Sequence, residues 1–365
     1  MRILMIIDGL SGGGAEKTVL NLCHGMHQMG HNVSLISLRE ICTYPIPHGI
    51  NYHIVTDHNQ MPWRKLTEIS RRTAALDQAI ANIEQKNGAF DLAFSNLHKT
   101  DRIVSRSKLL TSDRLWFCIH GILSVSYLSH RKAVDRWLKQ RKISTIYQKQ
   151  NIVAVSRAVS NDLQQNLLIR PQSLVVINNP FDIATIKQLS MESCELAGQE
   201  YLVHVGRFHP HKQHDLLLKA YAHSGVQVPL VLIGTGKKTS ITETRRLAAQ
   251  LGIMARVKIL GFQTNPYKFI RHASLLVLSS SNEGFGNVLI EALLCNTPVV
   301  STRCPGGAVE ILEKANMSHA LAELNESSLA AKIAQIYANP PKINHQQLLE
   351  YSLNTICRQY LALKK

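Results

Sequence analysis

Two kinds of hydrophobic pattern alternate along the chain. Residues 2–7 form a short, almost unbroken apolar run, as in a strand buried on both faces. A glycine-rich turn follows, and then Val19, Leu22, Cys23 and Met26 recur at helical spacing. The succession repeats, with strands expected at 32–38, 91–94, 115–119, 151–155 and 173–177 and a helix at 66–84. Residues 40–65 carry prolines and histidines without a period and are expected to be an irregular loop over a binding face. Five or six strands alternating with helices predict a doubly wound parallel sheet.

Residues 182–200 are polar and close this first domain; then the pattern restarts. Strands are expected at 201–205, 229–233 and 257–260, and helices after Lys212, at 241–251 and at 266–272. The segment 277–302 reads VLSSSNEGFGNVLIEALLCNTPVVST. It gives a strand, a small polar turn holding Glu283, a helix carrying Glu291 and a second strand entered through Pro298, which is a βαβ unit. From Leu321 onward the pattern is helical, broken at Asn339-Pro340-Pro341, with a last helix at 345–363. The expected fold class is therefore α/β, with domains at 1–180 and 181–344 and a tail, 345–365, packing back on the first domain.

Composition agrees with a folded protein: of 365 residues, 45% are hydrophobic and 18% charged. No apolar run reaches the length of a membrane span, and the apolar N-terminus meets Asp8 too early for a signal peptide. Seven scattered cysteines without CxxC spacing predict reduced core residues, a cytoplasmic protein and no zinc site. The net charge of +16 calls for a partner, and the excess is concentrated before Asn178. Its densest piece, 131–149, has seven basic residues against Asp135 alone. A solvated helix face accounts for it as well as nucleic acid, an anionic acceptor or an anionic membrane does. The run lacks interleaved aromatics beyond Trp137 and Tyr147, which disfavours nucleic acid and favours peripheral attachment to the cytoplasmic face of a membrane.

Candidate chemistry gathers where strands end, because there helix N-termini offer N–H donors to ligands. The Gly12–Gly14 turn fails both nucleotide fingerprints: Ala15 and Glu16 separate it from Lys17, and Lys17 stands where a third glycine is needed. It remains a place for close backbone approach or a plain tight turn. Arg207 and Lys212 bring two fixed cations to one strand mouth, as a diphosphate requires. Glu283 and Glu291 suit hydroxyl groups better than phosphate, although for two isolated glutamates a helix cap and a solvated helix charge are the commoner explanation. His120 ends a strand, a position from which a side chain points into the crevice, although a lone histidine there is more often structural. His209, His211 and His214 lack zinc-helix spacing and are read as loop residues.

In this order the motifs resemble family 4 of the retaining glycosyltransferases, with the GT-B architecture of two facing Rossmann-like domains and a cleft. They are Gly12-Gly13-Gly14-Ala15-Glu16, His120-Gly121, VAVS ending at Ser156, VINNP, VGRF with Lys212, IGTG, LGF, and the two glutamates with seven residues between them. The resemblance implies that Arg207 and Lys212 hold the diphosphate of a nucleotide sugar, expected to be UDP-linked. Glu291 would take the ribose hydroxyls, and Glu283 with Gly284, Phe285 and Gly286 those of the sugar. His120 would lie near that sugar. Gly13, Gly14, Gly206, Gly234, Phe262 and Asn287 would complete the donor site, with a lesser place for Glu310. It implies no metal, no cofactor beyond the nucleotide sugar, and retention without a protein nucleophile. The expected acceptor is a lipid-linked or oligosaccharide chain of lipopolysaccharide, O-antigen or capsule. A nucleotide-sugar epimerase of the same shape, or a basic module binding nucleic acid or lipid surfaces, are the alternatives.

Overall fold

The computed structural model describes residues 1–57, 64–129 and 131–364. The stretch 58–63 of the expected loop and His130 beside the basic run lie outside the described residues. The chain forms two units, one of Met1–Phe181 with Tyr351–Lys365 and one of Asp182–Glu350.

In the first unit, strands β1 (Arg2–Ile7), β2 (Asn32–Ser37), β3 (Asn51–Ile54), β4 (Leu92–Asn96), β5 (Leu115–Ile119), β6 (Asn151–Ala154) and β7 (Ser173–Val176) form one sheet. Its order is β3-β2-β1-β4-β5-β6-β7 and the pairs are parallel, with Ile3 set between Val33 and Leu92. The helices are α1 (Gly14–Gln28), α2 (Arg64–Asn87), α3 (His98–Val104), α4 (Leu123–Leu128), α5 (Ala133–Tyr147) and α6 (Arg157–Asn161). The apolar side of α1, with Val19, Leu22, Cys23 and Met26, is wholly buried against the sheet.

The second unit repeats the plan. Its strands β8 (Leu202–Val205), β9 (Leu230–Ile233), β10 (Val257–Gly261), β11 (Leu275–Leu278), β12 (Val299–Thr302) and β13 (Leu321–Ala322) are ordered β10-β9-β8-β11-β12-β13, again parallel. The helices are α7 (Ile183–Ser190), α8 (His214–His223), α9 (Lys238–Gln250), α10 (Tyr267–His272), α11 (Asn287–Leu294), α12 (Gly307–Lys314) and α13 (Glu326–Ala338). A last helix, α14 (Leu353–Leu361), returns to the first unit, where Ile356, Cys357 and Tyr360 enter the core and Tyr360 meets Phe94 edge-on at 5.2 Å. Both sheets are Rossmann-like. In each the order reverses at one place, between β1 and β4 or between β8 and β11, where loops leaving neighbouring strands part and open a crevice.

Four expectations are corrected. Residues 51–54 are a strand, not loop; as the sheet edge, β3 is only partly covered and keeps polar Asn51 and His53. The polar segment after 182 begins with a helix, α7, which Asp182 caps by accepting from Thr185 N at 3.0 Å and which buries little beyond Ile186. Two-residue β13 is too short to leave a pattern. The final helix is not continuous: a 3-10 segment, His345–Tyr351, precedes α14, and Phe181 pairs with Ser352 between them. The first sheet accordingly has seven strands rather than five or six.

A buried polar chain crosses the first unit. Ser95 Oγ and Tyr147 OH meet the carboxyl of Asp101 at 2.5 and 2.6 Å, and the same phenol lies 2.9 Å from His98 Nδ1. Burial pushes Asp101 up to about 8 and His98 down to about 4. The signs oppose. A raised carboxyl loses stability as pH climbs from its unfolded to its folded value, whereas a lowered imidazole gains it up to the unfolded histidine value near 6.5. Above that point only the carboxyl still titrates. Stability is therefore expected to decline by about 1–2 kcal/mol between roughly pH 6.5 and 8. Denaturant unfolding across that interval checks this: Asp101→Asn should flatten the slope, and an unchanged slope would rule the carboxyl out.

Candidate active site

The crevice of the second unit is built from the loops after β8 and β11. The chain leaves β8 through Gly206 and Arg207, makes a 3-10 turn at Pro210–Lys212 and enters α8. It leaves β11 through Ser279 to Gly286, where Gly286 rather than Glu283 occupies the cap of α11. The two loops are tied together. Ser279 Oγ donates to the Lys212 carbonyl at 2.7 Å, and Ser281 N to that of His211 at 2.8 Å. The Lys212 ammonium then reaches Glu283 Oε1 at 2.5 Å, and Ser280 Oγ donates to the same oxygen at 2.6 Å. Both of these donors fall on Oε1, and the second carboxylate oxygen, Oε2, is likewise an acceptor.

A third loop fixes the position of Glu283. Its backbone N–H donates to Pro305 O at 2.9 Å, and Gly307 N donates to Gly284 O at 3.3 Å. Gly306 lies between, at φ +135°, where a Cβ would overlap the Glu283 carbonyl. Gly234, at φ +153°, is pressed in the same way on the carbonyl of Gly206. Only glycine fits either place.

Beneath Lys212 lie two imidazoles. His204 Nδ1 donates to Val277 O at 2.8 Å, and His214 stacks on Phe208 at 4.4 Å. Burial lowers His204 to about 4 and His214 to about 3, so both are neutral near pH 7. The paired fixed charges of the crevice are thus Lys212 and Glu283. His214, read as a loop residue, is instead the buried first residue of α8.

Other expected residues are distributed unequally. Arg207 and Phe262 are exposed, and Gly206, Gly234, Gly284 and Asn287 partly so. Phe285 is buried and offers the crevice only backbone. Glu291 is also buried, its Oε1 3.2 Å from the hydroxyl of Tyr267 on α10. Glu310 sits in the first turn of α12. In the first unit, His120 Nε2 lies 2.9 Å from Asn96 Oδ1, and burial lowers its pKa to about 4. The Asn96 amide donates to the carbonyls of Ile6 and Phe94, both at 3.2 Å, which turns its oxygen toward His120. Gly13 precedes α1, and Gly14 begins it; Glu16 folds back to accept from Ser11 Oγ at 2.9 Å.

Residues that the sequence did not mark are Ser279, Ser280, Tyr267, His204 and Asn96. Each is an ordinary residue type for its element, and only the partner it meets across the fold gives it a role. Among the described residues, no group of His, Cys, Asp and Glu is arranged to hold a metal ion.

Residues 12–185 match the family described as Glycosyltransferase Family 4, and residues 188–352 match Glycosyl transferases group 1. A Campylobacter jejuni protein, N-acetylgalactosamine-N,N'-diacetylbacillosaminyl-diphospho-undecaprenol 4-alpha-N-acetylgalactosaminyltransferase, is 27% identical over 84% of this chain and 82% of its own. The N-acetyl-alpha-D-glucosaminyl L-malate synthase of Bacillus anthracis is 25% identical over 97% of this chain and 92% of its own. Anabaena HepE, solved in complex with UDP and glucose, superposes with a TM-score of 0.74 at 23% identity, covering 100% of this chain and 95% of that one.

Proposed function

The chain is a glycosyltransferase of GT-B type, with a family 4 first half and a group 1 second half, and from that premise we propose its reaction. It transfers a hexose or N-acetylhexosamine, with retention, from a nucleotide sugar to a lipid-linked or oligosaccharide acceptor of lipopolysaccharide, O-antigen or capsule assembly. The observation that carries this is the Lys212–Glu283 pair at the strand-order reversal of the second unit. One ammonium hydrogen is engaged by Glu283, and two remain for a phosphate. Arg207 supplies the second cation. As the bond to the anomeric carbon breaks, negative charge grows on the departing diphosphate, and fixed cations meet it without reorganising. Glu283 Oε2 accepts from sugar hydroxyls, and Glu291 from those of the ribose. The names of the two relatives, both transferring an N-acetylhexosaminyl group, support the sugar class. UDP is proposed as the nucleotide, the one found in the Anabaena protein of the same fold.

Titration calorimetry with UDP-glucose, UDP-galactose and their N-acetylamino counterparts tests the reading. Saturable binding of at least one is expected, with a new glycoside formed only when acceptor is added. No heat from any of them at millimolar concentration would reject the donor class, and conversion of the donor without acceptor would indicate an epimerase instead.

A further inference from the structure

The first turns of α5 have no place in the core of their unit. Ile143 and Tyr147 are fully buried and anchor the end of the helix, whereas residues 131–138 are exposed without exception. Helical spacing sets Val134, Trp137, Leu138 and Arg141 on one side, roughly opposite Ile143 and Tyr147. Val134 is 73% exposed, Trp137 54% and Leu138 44%. A helix serving only its own core turns its apolar side inward. This one has a second apolar side turned outward, and the Arg141 guanidinium lies over the Trp137 ring, 4.9 Å from its centre.

A neighbouring turn extends that side. Gln140 Nε2 donates to Asn166 O at 3.2 Å and Ser144 Oγ to Leu167 O at 3.0 Å, so residues 166–167 run beside α5. Leu167 and Ile169 are buried, but Leu168 between them is 66% exposed and held at φ +53°. That left-handed conformation is unfavourable for leucine, and here it turns an apolar side chain into water. Exposed cations Arg141 and Lys142 lie on or beside this side of the helix, Arg131 and Lys132 stand just before its start, and Arg136 is exposed on the other side. The only acid of the run, Asp135, is engaged by Arg131 at 3.5 Å.

We infer that this surface of the first unit docks on an anionic lipid bilayer. Val134, Trp137, Leu138 and Leu168 enter the boundary of the acyl chains, and the neighbouring cations meet lipid phosphates, as in an interfacial amphipathic helix. A nucleic acid would satisfy the cations and leave the four apolar side chains in water. No helix among the described residues is long and apolar enough to cross a membrane, so attachment through this surface is peripheral. The inference stands independently of the sugar transferred.

The experiment uses the full chain and vesicles of phosphatidylcholine with or without phosphatidylglycerol. Co-sedimentation is expected only with the anionic lipid, weakened by salt, with a blue shift of tryptophan emission that Trp137→Phe abolishes. Leu138→Glu and Leu168→Asn should each weaken vesicle binding about tenfold. Leu168→Asn should at the same time raise the melting temperature, because asparagine tolerates the left-handed region. That combination separates docking from folding. Vesicle affinity unchanged in both variants would overturn the inference. So would tighter binding to a single-stranded oligonucleotide that neither variant alters.

Discussion

Replacing Lys212 with alanine is expected to lower turnover by about 100- to 1,000-fold, the cost of removing one preorganised charge from a developing anion. The fold should survive. The side chain is about a quarter exposed, so water replaces the ammonium, and the Ser279 bond to its backbone carbonyl remains. Glu283 loses its cation but keeps the Ser280 hydroxyl. Because the ammonium acts most strongly on the charge of the departing diphosphate, kcat should fall further than the donor KM rises. Lys212→Arg keeps the charge with a different fork and should recover only part of the rate. Steady-state kinetics beside a melting curve decide the matter. Turnover within tenfold of the parent, in a folded variant, would take Lys212 out of the chemistry.

Gly306→Ala should do comparable damage by another route. The added methyl meets the carbonyl oxygen of Glu283 and the backbone is held at φ +135°, so the loop after β12 must move and Glu283 with it. A stability loss of about 2–4 kcal/mol is expected from combined strain and overlap, together with loss of nearly all transfer activity. Gly198→Ala provides the control. Its φ of +78° is also unfavourable for alanine, but nothing lies within 4 Å of its Cβ, so only the conformational penalty of about 1 kcal/mol applies. Denaturant unfolding of both variants checks the comparison. Equal losses would show that the contact with Glu283 does not hold the loop.

The contrast between these two positions marks how far the sequence could be read. Apolar runs located the buried central strands well: β1, β5 and the strands flanking α11 lie where unbroken hydrophobic stretches put them. Periodicity worked there because burial on both faces leaves little choice of residue. It failed at β3, where an edge strand keeps polar side chains, and at β13, where two residues carry no period. The cations and carboxylates of the second crevice were legible as types at strand ends. Their pairing was not, because nothing local joins Lys212 to a glutamate 71 residues away. Tyr267 beside Glu291, and Asn96 beside His120, lay beyond reach for the same reason: each contact is made by topology. The α5 surface was legible in its charge alone, since the direction in which Trp137 and Leu168 point is a property of the folded unit.

The return of α14 to the first unit bears on how the protein is made. Translation delivers the N-terminal segments first, and domains generally fold as they emerge. Here the first unit cannot finish in that order, because Ile356, Cys357 and Tyr360 belong to its core and are synthesised after the whole of the second unit. The nascent first sheet must wait, with the seat of α14 on α1 open, while some 170 intervening residues leave the ribosome. The second unit, contiguous in sequence, is thus the one able to complete its core first, although it is begun later.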